Sequence, residues 1–310
     1  MLASLWARGR NLLERPRWRR AAVALLVLAG LAVALVIVAR DWANLVAYDW
    51  RFDGPYLALS AVAYAGALAL AVVAWATVMR ALRAHLAWRQ HARFYLYSWL
   101  ARRLPTPAPF VASRVLLYEQ AGVPPRLTLI GMLWEQIMLI ASAGVLVVIL
   151  FPLTPLLSGS IPVVPVALIA LGSLILVMQP RILGAGLNWF LRRWGREPLN
   201  DYLGLRATLG VLALHSLLWL LGGMILFLMV RSIYPLEWAA LPLIIQIWAA
   251  SGLVGSLAFV VPVDLGFRDV SMAVLLTLVV PLSVALIIVV LLRLWITVNE
   301  IFWAMVFSRF

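Results

Sequence analysis

Apolar stretches of about 20 residues recur along the 310-residue chain and constrain its fold more than any other feature. A helix rises 1.5 Å per residue, so about 20 apolar residues cross the roughly 30 Å hydrocarbon core of a bilayer. Hydrophobic residues make up 65% of the sequence, whereas a soluble domain has about 45 to 50%. We therefore predict an all-α, polytopic integral membrane protein with about seven to eight transmembrane helices.

The predicted spans lie at about residues 21–39, 55–79, 127–151, 162–178, 207–230, 241–261 and 282–307. Two further elements are broken by prolines. One comprises short helices predicted at 94–104 and 110–122, and the other is a helix at 267–280. A helix of about 13 residues rises only roughly 20 Å, which is too short to span. We interpret the first element as lying at the interface or dipping into the membrane, and the second as broken or re-entrant. An amphipathic segment at 180–201 is expected on the cytoplasmic surface.

Positive charge is concentrated next to the apolar spans. The net charge is +13, and all 25 basic residues are arginine. This distribution follows the positive-inside rule and suits anionic lipid, so we expect membrane lipids and no nucleic acid as partners. Residues 1–20 form a basic N-terminus that we place in the cytoplasm, and residues 21–310 a single transmembrane domain in the cell membrane. A signal peptide is the competing interpretation, but no small-x-small cleavage site precedes Arg40.

The sequence contains no recognisable catalytic or metal-binding motif. It has no cysteine, which excludes disulfides, thiolate metal sites and a cysteine nucleophile. We interpret His85 and His91 as part of a basic loop and His215 as a hydrogen-bonded residue between helices, because none has metal-ligand spacing. No phosphate loop, nucleophile elbow or dinucleotide fingerprint is present. We therefore expect no metal, no cofactor and no catalytic residue.

Charged residues within the apolar sequence are the candidate functional residues. A charge at membrane depth costs roughly 2.5 to 3.5 kcal/mol, so it usually faces protein or a wet cavity. One group follows Pro262 and comprises Asp264, Gly266, Arg268 and Asp269. Gly266 permits a positive φ, and the next helix N-terminus with the Arg268 guanidinium suits a phosphate or carboxylate. Alternatively, Arg268 pairs with Asp264, Asp269 or another acid and only stabilises the fold.

Arg114 and Glu135 belong to the earlier proline-broken element. Tyr118 shares the helical face of Arg114, and this arginine either binds an anion or extends to headgroups at the interface. Glu135 is expected to bind a proton or cation, or to form an ion pair with Arg293 or Arg268. It belongs to a stripe of small and polar residues that should face protein: Thr128, Gly131, Glu135, Met138 and Ser142.

The last two spans carry further polar residues. Arg293, Thr297 and Glu300 share a face of the final helix, but Arg293 and Glu300 are about 10 Å apart and should have different partners. Residues 109–135 and 262–300 both read as proline, early arginine, proline and a long helix with an acid. This is either an internal repeat, as in transporters built from two halves, or a coincidence of prolines, which are common in membrane helices. Small-xxx-small spacing predicts close packing of the sixth span at Ser251, Gly252, Gly255 and Ser256.

These motifs resemble the lysylphosphatidylglycerol synthase transmembrane region family, whose flippase-like members include the membrane half of the bacterial multiple peptide resistance factor. The resemblance runs from about the second span to the end of the chain. The family's late motif, proline-glycine-glycine-leucine-glycine-x-arginine-glutamate, stands here as Pro262-Val263-Asp264-Leu265-Gly266-Phe267-Arg268-Asp269. The earlier motif and the arginine and acid of the last helix correspond to Pro107, Arg114, Gly122, Glu135, Arg293 and Glu300.

The resemblance implies different roles for two sets of residues. An anionic or phosphate-linked lipid, such as a polyprenyl-phosphate lipid, would contact the first set: Arg268, Arg114, Arg293 and Gly266. The second set would form a polar cavity or ion pairs: Glu135, Asp264, Asp269, Glu300 and Tyr118. In this sequence Val263 and Asp264 replace two motif glycines, and Asp269 replaces the motif glutamate.

The chain ends at Phe310 without the soluble aminoacyl-transferase domain of lysylphosphatidylglycerol synthase. We therefore expect a lipid flippase of the cytoplasmic membrane and no enzyme. One alternative is a non-transporting membrane partner that presents lipid substrate to a separate transferase. A third interpretation is an integral membrane transferase.

Overall fold

The computed structural model of the chain is helical in the part that it describes, which comprises residues 52–101, 108–153, 168, 171–172, 175, 179–193, 204–258 and 266–308. These residues contain no strand, so the all-α prediction is confirmed for them. The described α-helical segments of ten residues or more are α1 (Gly54–Ala81), α2 (Trp88–Ala101), α3 (Ala108–Gln120), α4 (Pro125–Leu150), α5 (Pro180–Arg193), α6 (Leu205–Arg231), α7 (Leu241–Ala258), α8 (Phe267–Leu276) and α9 (Leu282–Ser308).

Five helices are long and apolar enough to cross a membrane by length and composition. They are Gly54–Ala81, Pro125–Leu153, Leu205–Arg231, Trp238–Ser256 and Leu282–Phe307. These helices match the predicted second, third, fifth, sixth and last spans, which indicates a multi-pass membrane protein. The basic N-terminus at 1–20, the span at 21–39, most of the span at 162–178 and the motif residue Asp264 lie outside the described residues.

Prolines and glycines set several helix ends. Pro55 and Pro125 lie in the first turns of α1 and α4, where a backbone N–H is not needed for the helix. Gly122 follows α3 with a φ of +83°, and Gly266 precedes α8 with a φ of +80°. Both angles lie in the left-handed region that glycine adopts without steric cost.

The start of α2 differs from the prediction. This helix begins at Trp88, where the prediction placed a basic loop and a helix starting near residue 94. The Oε1 atom of Gln90 accepts a hydrogen bond from the backbone N–H of Ala87 at 3.1 Å, which stabilises the earlier start. His91 therefore lies on a helix and is buried, and its assignment to a loop is wrong.

The helix after Gly266 is also shorter than predicted. α8 has 10 residues and ends at Leu276, and turns occupy residues 277–279. Pro281 follows these turns, and the residue before a proline disfavours helical geometry. Its length remains too short to span a bilayer core.

The contacts between helices enclose a central space. α6 packs on α1, α4 and α7, whereas α7 packs on α8, α8 on α9, and α9 on α2. A Cβ atom at Gly222 would overlap the ring of Trp248, and one at Gly223 would overlap the backbone of Ile245, so these two glycines let α6 and α7 approach closely.

The last helix ends beside the basic segment that connects α1 to α2. Phe307 packs against a buried cluster that includes Met79 at the end of α1 and Ala84 and Phe94 after it. The C-terminal end of α9 and the end of α1 therefore lie on the same side of the bundle.

Candidate functional site

A cavity of about 340 Å³ lies among α1, α2, α4, α6, α7, α8 and α9. The lining residues that the sequence had singled out as candidates are Glu135, Gly266, Arg268, Asp269, Arg293 and Glu300. Arg114 and Tyr118 are not among the lining residues. The aromatic residues Tyr95, Trp99, Trp219 and Trp248, which had been assigned no role, also line the cavity.

Arg114 lies in the protein interior on α3 and is 0% exposed. Its Nη1 lies 2.6 Å from Oε2 of Glu135 on α4, and its Nε donates to Oγ of Ser98 at 2.9 Å. The guanidinium carbon lies 4.4 Å from the ring centroid of Trp75 and 4.5 Å from that of Tyr95. The structural ion pair expected of Glu135 is thus present, but its partner is Arg114 and not Arg293 or Arg268.

Neither interpretation of Arg114, as an anion-binding residue or as one that extends to lipid headgroups, fits a side chain that is fully buried and does not line the cavity. A buried guanidinium with a carboxylate partner does not extend to lipid headgroups, so the snorkelling alternative is wrong. Removing one partner of such a pair leaves an uncompensated buried charge. The pair therefore joins α3 to α4 next to the cavity wall that Glu135 contributes.

Tyr118 shares the inward face of Arg114, as predicted, and is fully buried. Nε1 of Trp75 donates to its hydroxyl at 2.6 Å, and Nδ1 of His91 lies 2.7 Å from the same oxygen. Burial raises the pKa of Tyr118 above its ordinary value. Burial, and then the positive charge of Arg80, lower the pKa of His91 to about 4. Both side chains are therefore neutral near pH 7.

Two aromatic residues of α2 connect the acids of the two long helices. Tyr95 OH donates to Oε1 of Glu135 at 3.1 Å, and Nε1 of Trp99 donates to Oε1 of Glu300 at 3.0 Å. The rings of Tyr95 and Trp99 stack with centroids 5.4 Å apart. Their spacing of one helical turn within an aromatic-rich segment is the sequence signal that could have suggested this role.

Arg268 lies at the start of α8 and contacts α7. Its guanidinium carbon is 4.0 Å from the ring centroid of Trp248. A Cβ at Gly255 would lie 3.0 Å from Cβ of Arg268, and one at Gly252 would overlap Trp219. The small residues of the sixth span are therefore sites of close packing, as predicted, and Gly255 accommodates the arginine stem.

Asp269 and Arg293 form an ion pair at the rim of the cavity. Nη1 of Arg293 lies 2.5 Å from Oδ2 of Asp269, and the two side chains are 57% and 29% exposed, respectively. Asp269 lies in the first turn of α8, where the helix dipole favours a negative charge. The prediction that Arg293 and Glu300 have different partners is confirmed, since Trp99 contacts Glu300.

The remaining polar predictions concern helix packing. Nδ1 of His215 is 2.8 Å from the carbonyl oxygen of Val211 on the same helix, and the side chain is buried and lines the cavity, so the predicted hydrogen bond is confirmed but its partner is not on another helix. The polar stripe of α4 is also buried, as predicted: Thr128, Gly131, Glu135, Met138 and Ser142. Within the described ranges, no group of three or more His, Asp or Glu side chains could hold a metal ion.

No protein-family model matches the sequence of this chain, and no curated protein sequence matches it.

Proposed function

We propose that this protein moves an anionic or phosphate-linked lipid between the leaflets of the cell membrane, with the headgroup passing through the central cavity. The observation that carries the proposal is the exposed Arg293–Asp269 ion pair at the cavity rim. Neighbouring side chains on α8 and α9 are exposed and apolar, namely Val270, Val290 and Leu294.

An ion pair on an apolar membrane face supports a polar opening toward lipid. Charges in contact with hydrocarbon are costly, and they usually face protein or a wet cavity. Such an opening between apolar helix faces would allow the lipid tails to stay in the bilayer while the polar headgroup enters the cavity. A water-soluble solute would not reach the cavity through an opening that faces lipid, which is why we favour a lipid as the transported molecule.

The chemistry of the cavity suits a phosphate group. Arg268 and Arg293 provide planar forks of N–H donors that match phosphate oxygens. The N-terminus of α8, preceded by Gly266, adds backbone donors and a partial positive charge. In this proposal Glu135 and Arg114 hold the wall, and no residue is catalytic.

The positive-inside rule gives the orientation that we propose. The basic segment after α1 is placed in the cytoplasm, together with the N-terminus at 1–20 and the end of α9. In this orientation α8 runs back toward the outer side beside α7, and α9 returns to the cytoplasm. The total number of crossings is then even. With the spans predicted at 21–39 and 162–178, the total becomes about seven to eight.

Reconstituted liposomes test this proposal. We expect wild-type protein to flip labelled phosphatidylglycerol or a polyprenyl-phosphate lipid, and Arg268→Gln to reduce the rate at least tenfold. Arg192→Gln on α5 is the control, since it also removes one positive charge, but from an exposed position outside the cavity. Equal rates for the two variants would show that the assigned site is wrong. Lipid binding without flipping would favour the non-transporting partner.

A further inference from the structure

A second, smaller cleft lies where α2 begins and α9 ends. Its volume is about 140 Å³, and it is lined by Arg89, Gln90, Arg93, Phe94 and Phe307. We propose that this cleft binds a phosphate group, at a site separate from the central cavity. The inference does not depend on lipid translocation.

The two arginines of the cleft form a concentrated positive charge, and no acid among the described residues pairs with them. Arg89 and Arg93 are one turn apart on α2, and both are exposed. No acid lines the cleft, and neither arginine forms an ion pair with any described residue. Arg293, in contrast, pairs with Asp269. Like charges at this spacing repel each other and destabilise a helix, and a bound anion would remove that repulsion.

The other polar side chain of the cleft also offers donors. Oε1 of Gln90 accepts the backbone N–H of Ala87, so the side-chain NH₂ group remains to donate. The first turn of α2 contains no acid, and a helix N-terminus carries a partial positive charge. Phosphate oxygens accept hydrogen bonds, so they complement the guanidinium and amide donors of the cleft.

The apolar wall of the cleft strengthens this complementarity. Phe94 is buried and Phe307 is half-buried, so one side of the cleft excludes water. Hydrogen bonds and charges interact more strongly beside such a low-dielectric wall. One water molecule needs only about 10 to 15 Å³, so the cleft has room for a phosphate group. A lipid headgroup and free phosphate share this chemistry.

The test compares Arg89→Gln/Arg93→Gln with Arg192→Gln/Arg193→Gln, which removes two exposed charges from α5. One arm follows thermal unfolding of the full chain in detergent with inorganic phosphate or chloride at equal ionic strength. The other arm uses nanodiscs of phosphatidylcholine with phosphatidylglycerol, followed by native mass spectrometry of the retained lipid.

We expect the wild type and the α5 variant to bind phosphate or retain phosphatidylglycerol, and the cleft variant to bind at least tenfold more weakly. Retention of phosphatidylglycerol identifies a lipid headgroup as the source, whereas protection by phosphate alone identifies the free anion. If neither probe binds, or if both double variants lose binding equally, the cleft is not a phosphate site. Unfolding temperatures in chloride verify that both variants are folded.

Discussion

Arg114 and Glu135 form a buried ion pair 2.6 Å long that joins the short helix α3 to the long helix α4. The guanidinium lies against aromatic rings, and Glu135 also accepts a hydrogen bond from Tyr95. Glu135, which lines the cavity, is thereby held from behind by Arg114, which does not. The pair therefore fixes a short, proline-broken element against the wall of the cavity.

We predict that Glu135→Gln destabilises the protein by about 3 to 5 kcal/mol, because it leaves the Arg114 charge buried without its counter-ion. Arg114→Met should have a similar cost. The double variant Arg114→Met/Glu135→Met should cost clearly less than the sum, because neither charge is then left alone. Equilibrium unfolding in detergent measures all three, and strictly additive costs would contradict the assigned coupling.

Trp99→Phe is expected to keep the ring stack with Tyr95 but to remove one hydrogen bond to Glu300. A hydrogen bond to a charged group contributes about 1.5 to 3 kcal/mol, so the unfolding free energy should fall by about that amount and the lipid-flipping rate should fall as well. Trp189→Phe is the matched control, since Trp189 is exposed on α5. Equal stability of the two variants would remove the role assigned to Trp99.

Gly223→Val should strongly destabilise the protein, since a Cβ there would overlap the backbone of Ile245. Overpacking of this kind typically costs about 1 to 3 kcal/mol. Gly66→Val in α1 is the control, because nothing lies within 4 Å of a Cβ at that position. Thermal unfolding of both variants measures the difference, and a stable Gly223→Val protein would refute the close packing of α6 on α7.

Acid should destabilise the fold through His91. Its pKa falls from 6.5 to about 4 in the folded protein, so the unfolded chain binds a proton at a higher pH than the native state does. Stability from the neutral side chain is complete above pH 6.5 and declines as the pH falls toward 4. Unfolding temperatures of wild type and His91→Gln should therefore converge between these pH values. Parallel curves would contradict this assignment.

Single cysteines can test the position of the C-terminal end, because the chain has no native cysteine. We expect His85→Cys and Ser308→Cys to react with an impermeant thiol reagent from the same side of the membrane. Asp53→Cys, before α1, should react from the opposite side. Labelling of positions 85 and 308 from opposite sides would be inconsistent with the packing of Phe307 beside the end of α1.

Sequence predicted the long helices well, because a span depends on local hydrophobicity and its ends on local prolines. Gly266 was likewise identifiable, since a glycine before a short helix suits a positive φ. Burial of the α4 stripe followed from helical periodicity alone. These properties depend on neighbours within a few turns.

The partners of the charged residues could not be predicted in the same way. Trp99 and Glu300 are 201 residues apart in sequence, and Arg114 and Glu135 are 21 apart. Their contacts depend on how α2, α3, α4 and α9 pack, which no local pattern specifies. His91 was placed in a loop because its neighbours are basic, although Gln90 stabilises an earlier helix start.

The transbilayer movement of a fluorescent phosphatidylglycerol in liposomes that contain only the purified wild-type chain tests lipid translocation most directly. We expect the label to move between leaflets several-fold faster than in protein-free liposomes, and faster than a phosphatidylcholine carrying the same label. Movement of phosphatidylglycerol and of a polyprenyl-phosphate lipid at the protein-free rate would contradict the proposed function.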